Sequence, residues 1–189
     1  SAPWSLGPEF STYMQNIRVR DGRVIPFGGS KVIPATGVEA GTVAGVLFNA
    51  RIKTGNIWVQ GCTDKILARG EGEAWTNATE GRDIIMQAGE VTQWSFCQLG
   101  DILIANHPQM SPVYFDTNTE LFVDLQFDPD KTWAELNLTT QVMRSHKNFL
   151  IALGDPVNPD SYRISTAADT DGLPFTWNPE DRSGIAIKA

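Results

Sequence analysis

Three stretches of this chain share one rhythm, a polar turn followed at once by an apolar strand. Ile57 in TGNIWVQG, Ile102 in LGDILIAN and Phe149 in HKNFLIAL each open such a strand, at spacings of 45 and 47 residues. Each is preceded by another strand (LFNARI, WSFCQL, QVMRS) and followed by one more (KILARG, PVYFD, YRIS). The unit therefore reads strand, tight turn, strand, loop, strand. A three- or four-stranded antiparallel sheet cannot bury both faces by itself, so a chain that repeats one stacks the copies against each other. The period matches the roughly 40 to 50 residues of a β-propeller blade. ILIAN (102–106) and FLIAL (149–153) suit the inner strands of such blades, where both faces are covered. The competing architecture is a β-sandwich or jelly roll whose hairpins resemble one another only because buried hairpins do.

The rest of the chain agrees with an all-β fold of antiparallel, blade-like sheets. Further strand signals of four to eight residues, aromatic and β-branched, are bounded by Gly, Pro, Asn or Asp. ELFVDLQF (120–127) reads as one of them. Only PDKTWAELNLTTQVMRS (129–145) carries a helix start, with Asp130 as cap and Glu135 in the opening turns. Thr139, Thr140 and Val142 oppose it, which leaves at most a short helix or turn feeding a strand. About three units fit, over approximately 43–90, 91–140 and 141–189, whereas a closed propeller needs about four or more. The ring is thus read as incomplete: either the chain is a fragment, or further chains or an extra sheet close it.

Residues 1–40 form an N-terminal arm and hairpin. The Asp21-Gly22 pair is suited to the positive φ of a tight turn between IRVR and RVIP. Ahead of it, SAPWSLGPEF carries Trp4 and Phe10 without periodicity, as expected of an arm that docks on another subunit. These two aromatics, together with Asp155, Asn158 and Asp160 in the loop after FLIAL, are the candidate assembly contacts.

Charge and chemistry narrow the function classes. A net charge of -7, from 22 acidic and 15 basic side chains, disfavours a protein that grips nucleic acid through its phosphates. Cys62 and Cys97 are too few for a disulfide framework or a zinc site and read as reduced apolar residues. No segment reaches the ~20 apolar residues of a membrane span, and the N-terminus lacks the pattern of a signal peptide. His107 and His146 have no nucleophile and carboxylate in a recognisable pattern, and both are expected to be polar loop residues. STAADTDGLPFTW (165–177) fails the spacing of a sialidase Asp-box, and its DTDG lacks the downstream Glu of a calcium loop. Asp155, Asp169 and Asp171 are expected to be turn formers. RGEGEAW (69–75) places two glutamates where a phosphate loop would need none. No catalytic residue, metal site or cofactor site is expected.

The stretch HKNFLIALGDPVNPDSYRISTAADTDGLPFTWNPED resembles a recurring segment of the β-propeller tail proteins of short-tailed bacteriophages, the nozzle or tail-tube proteins. The matching positions are Phe149 to Leu153, Ser165, Pro174 and Trp177. NIRVRDGRVIPFGG resembles the start of those proteins, and WSFCQLGDILIANHPQMSPVYFD the blade before that segment. The resemblance extends over about residues 10 to 182. It implies a virion structural protein, assembled in the host cytoplasm, that forms a homo-oligomeric ring and conducts DNA during ejection. A hexamer, an adaptor or portal-side neighbour and tail fibres as partners are implied by the resemblance alone. An acidic lumen would let DNA slide without sticking, and Glu71, Glu73 and Glu90 are expected to face that lumen or a partner subunit. The alternatives are a propeller that binds a peptide through its central face and a propeller enzyme acting on glycans.

Overall fold

The computed structural model describes residues 17–20, 23–26, 36–39, 42–155, 158–168, 172–178 and 187–188. The chain divides into two compact units, Ser1–Pro34 and Ala35–Ala189. In the first unit β1 (Ile17–Arg20) and β2 (Arg23–Pro26) pair antiparallel, with Arg20 opposite Arg23. The Asp21-Gly22 turn between them, and the arm with Trp4 and Phe10, lie outside the described residues.

The second unit is all-β, with no α-helix among the described residues. Three four-stranded antiparallel sheets follow one another along the chain, each a simple meander. The first holds β3 (Ala44–Ile52), β4 (Gly55–Cys62), β5 (Ile66–Gly70) and β6 (Thr76–Asn77). The second holds β7 (Ser95–Leu99), β8 (Ile102–His107), β9 (Met110–Asp116) and β10 (Leu121–Asp124). A small pair follows, β11 (Gln126–Asp128) with β12 (Lys131–Thr132). The third large sheet is β13 (Val142–His146), β14 (Phe149–Leu153), β15 (Tyr162–Ile164) and β16 (Ile187–Lys188).

Two sequence expectations change here and a third, the short helix or turn over 129–145, resolves to the turn. ELFVDLQF is two strands, because the chain breaks at Leu125 and its halves join different sheets. Residues 129–145 contain no helix: β12 and a run of turns lead into β13, as the β-branched residues there favour. The repeat is also more regular than its apolar residues suggest. The pairs that close the first hairpins, Ile52–Gly55, Leu99–Ile102 and His146–Phe149, recur at 47 residues both times. Ile57 stands two residues beyond the true equivalent of Ile102, which is Gly55.

The sheets pack as a stack because the middle one is apolar on both sides. Along β8 the side chains alternate, as any strand requires. Leu103 and Ala105 join a core with Ala50, Ile57, Val59, Ile66 and Phe115. Ile104, with Cys97 and Leu99, joins a second core with Met143, Leu150, Trp133 and Trp177. Each fully buried Leu or Ile contributes about 1.5–3 kcal/mol of transfer free energy. The two tryptophans meet edge to face, 5.0 Å between centroids at 89°, a geometry that favours aromatic pairs.

Specific contacts fix the stacking. Gly61 lets the Trp94 indole lie on the backbone of β4, since a Cβ there would come within 2.3 Å of the ring. Trp94 Nε1 then donates to the Cys62 carbonyl at 3.0 Å. At the outer edge the Phe122 amide donates to Ala78 O at 2.7 Å. Arg82, in the same loop after β6 as Ala78, ties that loop to β10 through Nε to Phe122 O and through its guanidinium to Asp124 at 2.7 Å. The second unit begins before its first strand: the Trp75 amide donates to Thr36 O at 2.8 Å, and Lys65 pairs with Glu39.

Candidate functional site

Two surfaces gather the residues singled out by sequence. One is the loop that joins β14 to β15. Gly154 opens it with φ 73, and its amide donates to Ser161 O at 2.9 Å. The Asn158 carbonyl accepts from the Asp155 amide, the Ser161 amide and the Ser161 hydroxyl, at 3.2, 3.0 and 2.7 Å. The loop is therefore closed on itself, and the side chains of Asn158 and Asp160 are left exposed. Asp155 is different. It is largely buried and lies 3.9 Å from the Arg163 guanidinium, which in turn sits over the Phe127 ring at 5.6 Å. Asp155 thus ties the loop to the core. Trp4 and Phe10 lie outside the described residues, as do Asp169 and Asp171.

The other surface is a cleft of about 390 Å³ where the turns of the first two sheets converge. Ile52, Ile57, Ala68 and Phe115 form its apolar floor, and Arg69, Glu71, Glu73 and Glu120 carry its charge. The tight β5–β6 turn brings two of the carboxylates in, and Glu73 is held there by accepting from the Gly70 amide at 3.2 Å. Glu120 arrives from the β9–β10 turn with φ 58, braced by an Asp116 carboxylate that accepts from Asn118 and Thr119. Those hydrogen bonds hold the Asp116 carboxyl below the usual range. Sequence reasoning missed Glu120, because nothing local ties it to Glu71 and Glu73, 49 and 47 residues earlier.

Glu90 does not join them. Its carboxylate accepts from the Gln87 amide at 2.7 Å and from the Gln109 side chain, and its carbonyl faces His107. His107 is not a loop residue but the buried last residue of β8. Its ring lies on Trp94, 5.2 Å between centroids. Nδ1 accepts from the Gln109 amide at 3.2 Å, so the proton sits on Nε2 and is donated to Glu90 O at 3.0 Å. Burial holds its pKa below the ordinary histidine value. His146 is exposed at the end of β13, next to the hairpin turn Lys147-Asn148.

These surfaces offer charged and hydrogen-bonding groups. The cleft brings together carboxylates, one guanidinium and the hydroxyl-bearing Thr54, Thr76 and Thr117, with neither a histidine nor a cysteine among its lining residues. Both thiols are buried elsewhere, and burial pushes Cys62 up to about 11 and Cys97 up to about 12. At neutral pH they are protonated and poor nucleophiles. Among the described residues no group of His, Cys, Asp and Glu is placed to hold a metal ion, and no helix is long and apolar enough to cross a membrane. No family model matches the chain, and no curated protein does either.

Proposed function

We propose that this chain is a structural protein of a bacteriophage tail, one of several copies in a ring-shaped nozzle or tail tube that conducts DNA during genome ejection. On this reading each four-stranded meander is a propeller blade and the protein has no catalytic role. One observation carries the reading: three meanders of the same topology, set at a 47-residue period and packed face to face, which is how blades bury the faces a lone sheet leaves open. The resemblance of residues 149–177 to the blades of such tail proteins supplies the rest.

Charge supports the same role. A net charge of -7 and a cleft edged by Glu71, Glu73 and Glu120 repel phosphate, as suits a conduit through which DNA must slide. The exposed Asn158 and Asp160 form a polar contact surface for an adaptor, a fibre or a neighbouring copy. Electron microscopy of tailed particles containing this chain, located with an antibody, tests the proposal. A ring of copies at the tail tip, coaxial with the DNA path, is the expected image. Particles that lack the chain, or a purified chain that cleaves a polysaccharide, contradict it.

A further inference from the structure

Trp133 and Trp177 fill the second core, and the indole Nε1 of each is buried without a hydrogen-bond partner. A donor withheld from water in this way carries its full desolvation cost, and native folds leave few of them. The backbone fixes Trp133: its amide donates to Leu125 O at 3.0 Å, and its carbonyl accepts from the Leu138 amide at 3.0 Å. Phe127 and Trp177 both meet its ring edge to face. The side chain therefore has little room to turn its donor elsewhere.

A cavity of about 10 Å³ adjoins Trp133, and Thr140, Asp155 and Arg163 also line it. The strand register explains why Arg163 is there. It pairs with Ala152, a member of the second core, and directly opposed residues share one face of a sheet, so Arg163 stands on the side that meets Trp133. The Asp155 carboxylate comes within 3.9 Å of its guanidinium. At that distance the charges attract, but no direct hydrogen bond forms. Beyond about 3.5 Å a polar contact can be completed by a water beside the gap, and the cavity has about the 10–15 Å³ that one water needs.

We propose that one water molecule occupies this cavity and fastens the β14–β15 loop to the second core. It accepts from Trp133 Nε1 and from the Arg163 guanidinium, and it donates to the Asp155 carboxylate. Three hydrogen bonds are the usual number for a buried water. The volume admits nothing larger, and the mixed lining selects against ions. A cation would face the Arg163 charge and the indole N–H, and an anion would face Asp155. Water suits both, because it accepts as well as donates.

The water makes the ion pair a junction of three elements. Trp133 directly follows β12, Arg163 lies on β15, and Asp155 stands in the loop after β14. The loop that displays Asn158 and Asp160 is thus tied to the core near its start, in addition to the bonds it makes to its own Asn158 carbonyl. This link is independent of the role proposed above. The competing acceptor for the Trp133 N–H is an aromatic face, either Trp177 at 5.0 Å or Phe127 at 5.5 Å between centroids. That contact would satisfy the indole and leave Trp133 without a link to Asp155.

A high-resolution crystal structure of the 189-residue chain tests this directly. The expected result is an ordered water within about 3.2 Å of Trp133 Nε1, the Arg163 guanidinium and an Asp155 carboxylate oxygen. No water density at that place, or a Trp133 N–H directed at an aromatic face, overturns the proposal. Urea denaturation of Trp133→Phe, Asp155→Ala and the double variant tests the link in solution. Each single change should raise the unfolding constant, and the double variant should raise it about fivefold less than the product of the two single effects. No direct hydrogen bond joins the two side chains, so single effects that simply multiply also overturn the proposal.

Discussion

His107 has consequences at the scale of a single residue. Its ring is neutral in the fold, pressed on Trp94 and hydrogen bonded at both nitrogens. Burial depresses its folded pKa, so on acidification the unfolded chain takes up the proton first, below about pH 6.5. The fold keeps the full benefit of the neutral ring above that pH and loses it as pH falls toward the folded pKa. His107→Gln removes this dependence. Urea denaturation at pH 7.5 and pH 5.5 should show the stability difference between parent and variant shrinking at the lower pH. An unchanged difference would contradict the buried neutral ring. The burial itself was not legible in sequence: His107 ends its strand beside Pro108, and only the meeting of β8 with Trp94 shows that its end lies inside. Asp155 is similar, since nothing local shows that the β14–β15 loop turns its carboxylate inward toward Arg163 on β15.

At the scale of the element, the hairpins were legible in kind but not in register. Polar turn residues followed by apolar runs marked β7–β8 and β13–β14 correctly. The first hairpin was misaligned by two residues because its equivalent of Ile102 is Gly55, which has no side chain for a hydrophobic pattern to detect. The turns predict a stability effect. Gly100 and Lys147 occupy the same turn position with φ 57 and 52, a region that costs a side-chain-bearing residue roughly 1–2 kcal/mol, partly offset by the entropy of glycine. Lys147→Gly should therefore stabilise the chain by up to about 1 kcal/mol, and Gly100→Lys should destabilise it by a similar amount, read as shifts in the urea midpoint. A destabilised Lys147→Gly would show that the lysine side chain makes contacts that outweigh its strained backbone.

At the scale of the whole molecule, the all-β character was plain from the short aromatic and β-branched runs, and the order of the sheets followed from the repeat. What sequence could not distinguish was ILIAN from FLIAL. Both are continuous apolar runs, and both were read as covered on two faces. In the structure β8 is covered on both, whereas β14 buries Leu150 and Ala152 and leaves Leu153 exposed and Phe149 and Ile151 half-buried. The difference lies in what stands beside each sheet, a property of the stack that no local window records. The cleft was missed in part for the same reason, as Glu120 meets Glu71 and Glu73 only when the second sheet lies against the first.

Three sheets form a single stack whose middle member is held from both sides. Native-state amide hydrogen exchange reads this strand by strand. The amides of Leu103, Ile104 and Ala105 should exchange only through global unfolding. Those of Leu150, Ile151 and Ala152 should exchange through a smaller, cheaper opening of the third sheet. Exchange in β8 as fast as in β14, or faster, would contradict the doubly covered middle sheet on which the fold and the proposed blade reading depend.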